Sequence, residues 1–548
     1  MSNVRRTVLS IALIQIGIID LRERLMSMSK NSIIKGTLIL TIAGFATRII
    51  GFFYRIFLSN IMRPEDMGVY QLIFPVYGLC FTLYASGIQT SISRLIAAEI
   101  GKHDTSNLKR ILRTGMLFSF VIAITLSILL NRNASFIATN ILLESRCTGS
   151  LKILSYVFPF CGITACINGY YYGIKRAGVP AMTQLFEQII RVASVYVLAP
   201  VFALGNSEKA CELAVWGILF GEIASNSYNM ISMLIIKPSK IQETVKLKIQ
   251  ELRNYKSRKE ERVSYAGSLF KLALPLTCNR LLISILSSIE AILIPSMLKQ
   301  YGLSGTDALS VYGVLTGMSI PFIMFPSTIT NSFAVLLLPT VSEAQAAGNN
   351  NMINKTTALS IKYSLIIGIL STGIFITFGN SLGTLVFNND SAGVFLTILA
   401  WLCPFLYLTT TLGSILNGLG KPHITFFNTV VGLSVRILFV IILVPQKGIL
   451  GYLIGMLVSQ IIISTLDTFS IFRNVKVTFN PIDWIVKPGL ITAFIGFLTN
   501  RSYLLIKDHA SMSSLALLLC FCFFLVICYI IMLFITKAIT MDEFKRAK

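Results

Sequence analysis

Residues 31–63 read NSIIKGTLILTIAGFATRIIGFFYRIFLSNIMR. The stretch is apolar enough and long enough to cross a bilayer, for which roughly 20 apolar residues suffice, yet Arg48 and Arg55 lie inside the apolar run. A cation near the centre of a span costs several kcal/mol unless it faces a partner or a wet cavity. The two arginines are seven residues apart. At about 100° per residue they share one helix face and stand about 10 Å apart along the axis. A cationic stripe inside a membrane reads as a site for an anionic group.

The rest of the 548-residue chain agrees with a membrane setting. It is 54% hydrophobic and 13% charged, with a mean hydropathy of +0.74, well short of the charge a soluble protein of this size carries. The formal net charge of +23 sits in short connections between apolar spans, so the positive-inside rule accounts for it and nucleic acid is not an expected partner. The ten cysteines show no metal spacing; most lie in spans and read as small packing residues. Cys147 and Cys211 fall in loops, which leaves a disulfide between them open. No phosphate loop of the GxxxxGK[ST] type and no catalytic Ser/His/Asp arrangement is present, so the expectation is a non-enzyme without cofactor or metal.

About fourteen spans follow, near 33–59, 69–98, 114–131, 152–173, 181–204, 212–236, 268–297, 309–339, 357–379, 392–416, 423–445, 449–472, 484–500 and 513–536. Basic connections alternate with less basic ones, which predicts a multi-pass protein of the cell membrane with both termini cytoplasmic. Residues 1–27 read as an N-terminal extension: an apolar run too short to span, with no cleavage site, either an interfacial helix or a start displaced from Met26 or Met28. Residues 237–265 form a basic cytoplasmic linker whose Ile241, Val245, Ile249 and Leu252 recur at helical spacing. It separates an N-lobe (28–236, spans one to six) from a C-lobe (266–472, spans seven to twelve); 473–548 holds two further spans and a cytoplasmic tail.

The lobes repeat. Val69-Tyr70 recurs as Val311-Tyr312, Asn168-Gly169 as Asn417-Gly418, and Arg191 with Pro200 as Arg436 with Pro445, at offsets of 242 to 249 residues. Six spans per repeat give equal orientation, hence a parallel pseudo-repeat about the membrane normal, with a substrate cavity where the halves meet. The predicted fold is therefore an all-α polytopic membrane protein of two six-helix lobes plus two C-terminal helices.

Ionisable residues within spans are the informative set. Glu187 and Arg191 are spaced to neutralise each other. Arg94 reads as snorkelling to the interface, and Arg436 and Asp467 as a cross-helix pair. Arg48 and Arg280 lie near the middle of the first span of each lobe with no acid four residues away, so both are expected at the cavity. Arg55 and Glu290 occupy similar positions in the two lobes, and Glu290 is placed to hold Arg55 when no substrate does. Arg48, Arg55 and Arg280 are the candidate diphosphate ligands, since arginine makes bidentate bonds to phosphate and stays charged. Glu222, Glu290 and Asp467 are candidates for coupling to a proton or sodium ion or for gating, with a structural role the alternative.

KGTLILTIAGFATRIIGFFYRI, GVYQLIFPVYG, SGIQTSISRLIAAE and VYGVLTGMSIPFIMFPSTITNSFAVLLLPTVSEA resemble the stage V sporulation protein B branch of the multidrug/oligosaccharidyl-lipid/polysaccharide exporter superfamily. The resemblance covers roughly residues 28–540. It implies alternating-access movement of a lipid-linked (undecaprenyl-diphosphate) peptidoglycan or polysaccharide precursor across the cytoplasmic membrane, for spore cortex synthesis. A multidrug antiporter of the same fold, or a non-transporting scaffold partnering cell-wall synthesis proteins through the basic linker, are the alternatives. Related MurJ-type lipid II flippases carry arginines in a TRxxGFxR-like pattern that Arg48 and Arg55 match with one extra residue between them. The acid that often follows there is Ile56 here, their second-span arginine has no counterpart near Val76–Gly78, and Pro321 stands before Phe325-Pro326 where an arginine is expected. Arg280 is the expected compensation, and the identity of the glycan stays open.

Overall fold

The computed structural model describes residues 39–101, 107–202, 207–235, 265–509 and 512–539. The N-terminal extension and all of the basic linker but Tyr265 lie outside them. The described residues form helices α1 (Ile39–Ile61), α2 (Pro64–Ile100), α3 (Leu108–Arg132), α4 (Cys147–Gly173), α5 (Gly178–Phe202), α6 (Ser207–Ile235), α7 (Ala266–Gln300), α8 in two segments (Gly305–Met324 and Ser327–Ala346), α9 (Asn350–Phe387), α10 (Asp390–Gly418), α11 (Pro422–Lys447), α12 (Ile449–Asn474), α13 (Ile482–Ile506) and α14 (Ser514–Ile535). A helix lies at every expected span. By length and apolarity twelve of them can cross a membrane, so the expected count of fourteen is not reached by that measure; α5 and α6 are the two that carry Glu187, Arg191 and Glu222.

Local chemistry sets the ends. Ser304, Asn349, Asn389 and Ser513 cap the helices that follow them by accepting backbone N–H bonds at 3.1, 3.0, 3.0 and 3.4 Å. Pro64 and Pro422 occupy first turns, where a missing N–H costs nothing. Asn388 ends α9 in the left-handed conformation. Cys147 and Cys211 are buried inside helices as free thiols; Cys211 accepts from Ser150 Oγ at 3.3 Å, and no disulfide joins them.

The repeat is visible in packing. The contacts α3–α4, α4–α6, α5–α6 and α2–α4 recur as α9–α10, α10–α12, α11–α12 and α8–α10, and α13 and α14 lie against α9. The α7–α11 contact has its counterpart in α1 against α5, where the Phe57 and Tyr196 rings stand 5.3 Å apart. The offset that carries Val69-Tyr70 onto Val311-Tyr312 also carries the π-turn Thr82–Ser86 of α2 onto 324–328, where α8 breaks at Phe325-Pro326. Both helices thus depart from regular α-geometry at one level. Proline explains the second break.

Because successive helices alternate in direction, the connections holding Lys175, Arg176, Lys421 and Lys476 fall at one end of the bundle, the basic end. The opposite end holds the ion-pair cluster of Arg63, Glu65, Asp66, Glu144 and Arg146. At this far end a single hydrophobic core runs through both lobes, joining Met67, Leu154 and Ile218 to Leu298, Leu309, Leu396 and Val440. At the basic end the core divides. One part lies within the C-lobe around Val341, Leu412 and Ile471. The other joins Ile92, Ile111 and Cys166 of the N-lobe to Leu269 and Ala273 of α7, the first helix of the C-lobe. At the basic end α7 thus packs with the N-lobe, while the core of α8, α9, α10 and α12 forms a separate cluster.

The far-end seal depends on glycine. A methyl group on Gly68 of α2 would lie 2.1 Å from the Leu309 carbonyl oxygen of α8, and one on Gly313 would lie 2.3 Å from the Pro64 carbonyl oxygen. Neither backbone can approach the other with a side chain between them. Gly313→Val is expected to part the lobes at the far end. Spin labels at the exposed positions Asn60 and Thr306 should then report a longer separation than in the wild type; an unchanged distance distribution would show that the crossing does not hold the seal.

Candidate substrate-binding site between the lobes

Span α1 is fixed on two sides. Gly51 faces Gln188 of α5, and Phe52 stacks near Phe322 and Phe325 of α8, with centroids 5.0 and 4.6 Å apart. In helical angle Arg48 lies between these two directions, so it points to the junction of the lobes, where its side chain is exposed. Arg55 shares that face but is half-buried, within electrostatic reach of Tyr70 on α2. The expected pair of cavity arginines is therefore split by burial.

Arg280 bridges the lobes. From α7 its Nη1 donates to the Ser86 carbonyl of α2 at 2.8 Å and to the Ser86 hydroxyl. Ser284 lies 3.0 Å from Thr82 Oγ1, and Ser288 donates to the Pro75 carbonyl at 3.3 Å, so α7 follows α2 for several turns. Arg280 remains exposed on its other side. Arg94, expected to snorkel, is exposed and stands within electrostatic reach of Arg280. It joins the candidate site; the sequence hid it because eight residues along α2 separate it from Ser86.

The carboxylates go elsewhere. Glu187 pairs with Arg191 inside the N-lobe, as their spacing predicts. Glu222 is buried beside them and accepts from Ser225 Oγ at 3.4 Å. Glu290 does not hold Arg55. It is buried in the C-lobe, 3.3 Å from Arg436 Nη1, and accepts from Tyr452 Oη at 2.8 Å. The expected Arg436–Asp467 pair is absent as well, because Arg436 is committed to Glu290 and to Ser459 Oγ at 2.9 Å. Asp467, fully buried, accepts from Asn428 Nδ2 at 2.7 Å, and its second oxygen has no hydrogen-bond partner. These four in-span carboxylates sit within one lobe or the other, whereas Arg48, Arg94 and Arg280 are exposed.

Helices packed as two repeats around a cation-bearing junction define a polytopic all-α membrane protein. The chain belongs to the polysaccharide biosynthesis protein family, whose family model matches residues 33–345. It is similar to stage V sporulation protein B of Bacillus subtilis (strain 168), with 25% identity over 82% of this chain and 86% of that one. In fold it is similar to the lipid II flippase MurJ in its inward closed conformation, with a TM-score of 0.66 at 14% identity over 90% of this chain and 98% of that one. It also shares the fold of an inward-facing multidrug resistance MATE family transporter of the MOP superfamily, with a TM-score of 0.58 at 15% identity over 79% and 98% of the two chains. The resemblance to stage V sporulation protein B is thereby borne out.

The buried pair in the C-lobe gives a stability prediction. Removing one partner of a buried ion pair strands a charge and typically costs about 3–5 kcal/mol, whereas replacing both with apolar groups can be nearly neutral. Arg436→Met should lower the thermal unfolding midpoint in detergent strongly, and Glu290→Leu combined with Arg436→Met should recover much of the loss. A double variant no more stable than the single one would show that the pair is not an isolated unit.

Proposed function

We propose that this protein is a flippase that moves a lipid-linked precursor, with its glycan on an undecaprenyl diphosphate, across the cytoplasmic membrane by alternating access. The observation that carries the reading is the sign of the junction: Arg48, Arg94 and Arg280 are exposed, while Glu187, Glu222, Glu290 and Asp467 are engaged within the lobes. A diphosphate fits such a set through charge-assisted, bidentate bonds. A cationic drug would meet repulsion there, which weighs against the multidrug reading despite the shared fold. The family and the MurJ-like fold support a lipid-linked precursor as the substrate class.

On this reading the basic end is cytoplasmic and the structure is closed to the outside. Arg48 and Arg280 bind the diphosphate with Arg94 beside them, and Arg55 is a deeper, partly shielded ligand. The lipid tail stays in the bilayer between the lobes. Glu222 and Asp467 are the proposed coupling groups, because each is a buried carboxylate without a dedicated cation; Glu290 is a structural partner of Arg436. The stage V sporulation protein B relative supports a role in sporulation, and synthesis of spore cortex peptidoglycan is the step proposed for it.

A vesicle assay tests this. With a lipid-linked disaccharide-peptide as substrate, Arg48→Ala and Arg280→Ala should each lower the translocation rate roughly tenfold or more, the scale of losing one charge-assisted bond. Wild-type rates in both variants would remove the cationic-site model. A wild-type protein that moves no lipid-linked substrate would favour the scaffold reading. Asp467→Asn should abolish any dependence of the rate on an imposed proton or sodium gradient while the protein stays folded.

A further inference from the structure

The two lobes carry the same buried polar ladder with its carboxylate on a different rung. Packing fixes the register between them. Gly173 of α4 faces the Ser93 carbonyl and Ile96 of α2; Gly418 of α10 faces the Leu338 carbonyl and Val341 of α8, each 245 residues on. Gly221 of α6 meets the Glu187 carbonyl of α5, and the contact returns between Ser459 of α12 and Gly432 of α11, at offsets of 238 and 245. These offsets carry Thr183 onto Asn428, Glu222 onto Gln460, Asn229 onto Asp467 and Asn168 onto Gly413. The Asn-Gly pairs alone would match Asn168 to Asn417; the packed helices align four residues earlier.

In the N-lobe the ladder closes. Thr183 Oγ1 donates to Asn229 Oδ1 at 2.7 Å, and Asn229 Nδ2 donates to Asn168 Oδ1 at 3.4 Å. The Asn229 amide thus accepts on one edge and donates on the other. In the C-lobe Asn428 Nδ2 donates to Asp467 Oδ1 at 2.7 Å. The other edge is open. Gly413 stands where Asn168 accepts, and Asp467 Oδ2 is buried with no hydrogen-bond partner. Thr425 Oγ1, one turn before Asn428 on α11, is buried without a partner as well, and the Thr425 methyl lies 3.4 Å from where a Gly413 Cβ would stand. The next rung is reversed: Gln460 donates to Thr409 Oγ1 at 2.9 Å, at the position that Glu222 holds in the N-lobe.

The surroundings of Asp467 hold no charge for it. The side chain is fully buried, and α12 packs on α10 and α11. Asp390, the one charged residue of α10, lies in its first turn at the far end. On α11, His423 is exposed, Lys447 is in the last turn at the far end, and Arg436 is committed to Glu290. Arg473, near the end of α12, is exposed, and Lys421 donates to Asn474. Among the described residues no charged side chain lies within electrostatic reach of Asp467. A buried carboxylate with one amide donor and no cation is costly. A neutral carboxylic acid accepts on one oxygen and donates from the other, which is the pattern Asn229 shows in the N-lobe.

We infer that Asp467 is a proton-binding site, and that the packing of α10, α11 and α12 seen here is the arrangement its neutral acid favours. A sodium ion fits the place less well: it would need several oxygen ligands, whereas Asn428 turns its N–H to the carboxyl and Gly413 has no side chain to offer. Loss of the proton leaves a charge that this packing does not hold, so it favours arrangements in which water reaches the α12 face. The link to transport rests on the coupling role proposed above for Asp467; the proton site itself does not.

Infrared spectroscopy of the purified full-length protein reads the proton directly. Isotope-labelled aspartate separates the C=O stretch of a neutral aspartic acid from that of a glutamic acid. The wild type should show a label-sensitive band of neutral aspartic acid at neutral pH and lose it in alkaline buffer. Asp467→Asn, which installs the amide present at Asn229, should lack the band throughout, and Glu222→Gln should keep it. Asn428→Leu removes the one donor that favours the charged form, so the band should persist to higher pH; this variant carries the test should Asp467→Asn fail to fold. Sodium in place of choline should leave the band unchanged. No such band in the wild type at neutral pH, its survival in Asp467→Asn, its earlier loss in Asn428→Leu, or its loss on adding sodium would overturn the assignment. A band with these properties in a protein whose transport ignores a proton gradient would uphold the proton site and remove the coupling role.

Discussion

Everything in this structure is arranged around the backbone crossing of α2 and α8. Gly68 and Gly313 let two spanning helices from different lobes touch without side chains between them. In a bilayer the hydrophobic effect does not drive helices together; close packing of small residues does. A glycine crossing is therefore an effective way to fasten two lobes at one end. It also places Met67, Leu309 and Met318 in one continuous core. At the basic end the core is in parts: α7 stays with the N-lobe cluster, and the cluster of α8, α9, α10 and α12 lies apart from it.

That asymmetry decides what the charges can do. A carboxylate buried within a lobe keeps its surroundings when the lobes move as bodies, and Glu290 with Arg436 and Tyr452 is built that way. An arginine at the junction has surroundings that change with the state of the protein. Arg48 and Arg280 belong to the second kind, one from the first helix of each repeat. Duplication of a six-helix unit supplies both positions at once, and divergence has given them different supports: Arg280 leans on α2, while Arg48 lies on the face of α1 between α5 and α8.

Much of the architecture was legible in the sequence because membrane burial writes a strong signal. Span positions, the repeat and the Glu187–Arg191 pair follow from apolar length, offset and i,i+4 spacing, whereas the break at Phe325-Pro326 interrupts what reads as one span. The pairings across helices were not legible. Arg436 and Asp467 lie on neighbouring helices in the same lobe, and nothing in their spacing tells that the arginine turns to α7 while the carboxylate turns to Asn428. Arg94 was hidden for a related reason: a cation near a helix end looks like a snorkelling side chain until the partner helix is in place.

The Arg280–Ser86 contact joins the two themes. A guanidinium has five N–H donors in one plane, and Arg280 uses Nη1 on Ser86. The remaining edge is free to meet a diphosphate without giving up the contact between the lobes. Ser86 also closes the π-turn of α2, and its carbonyl accepts from Thr90 Oγ1 at 3.1 Å. The arginine proposed to bind substrate thus rests on the segment where α2 departs from regular helix, at the level where α8 breaks. Ligand charge pulling on Arg280 acts on the irregular turn of the helix that also carries Gly68, so the proposed anion site and the far-end seal share one structural element. Separating the lobes at either end must reshape α2, and Arg280 is placed to feel it.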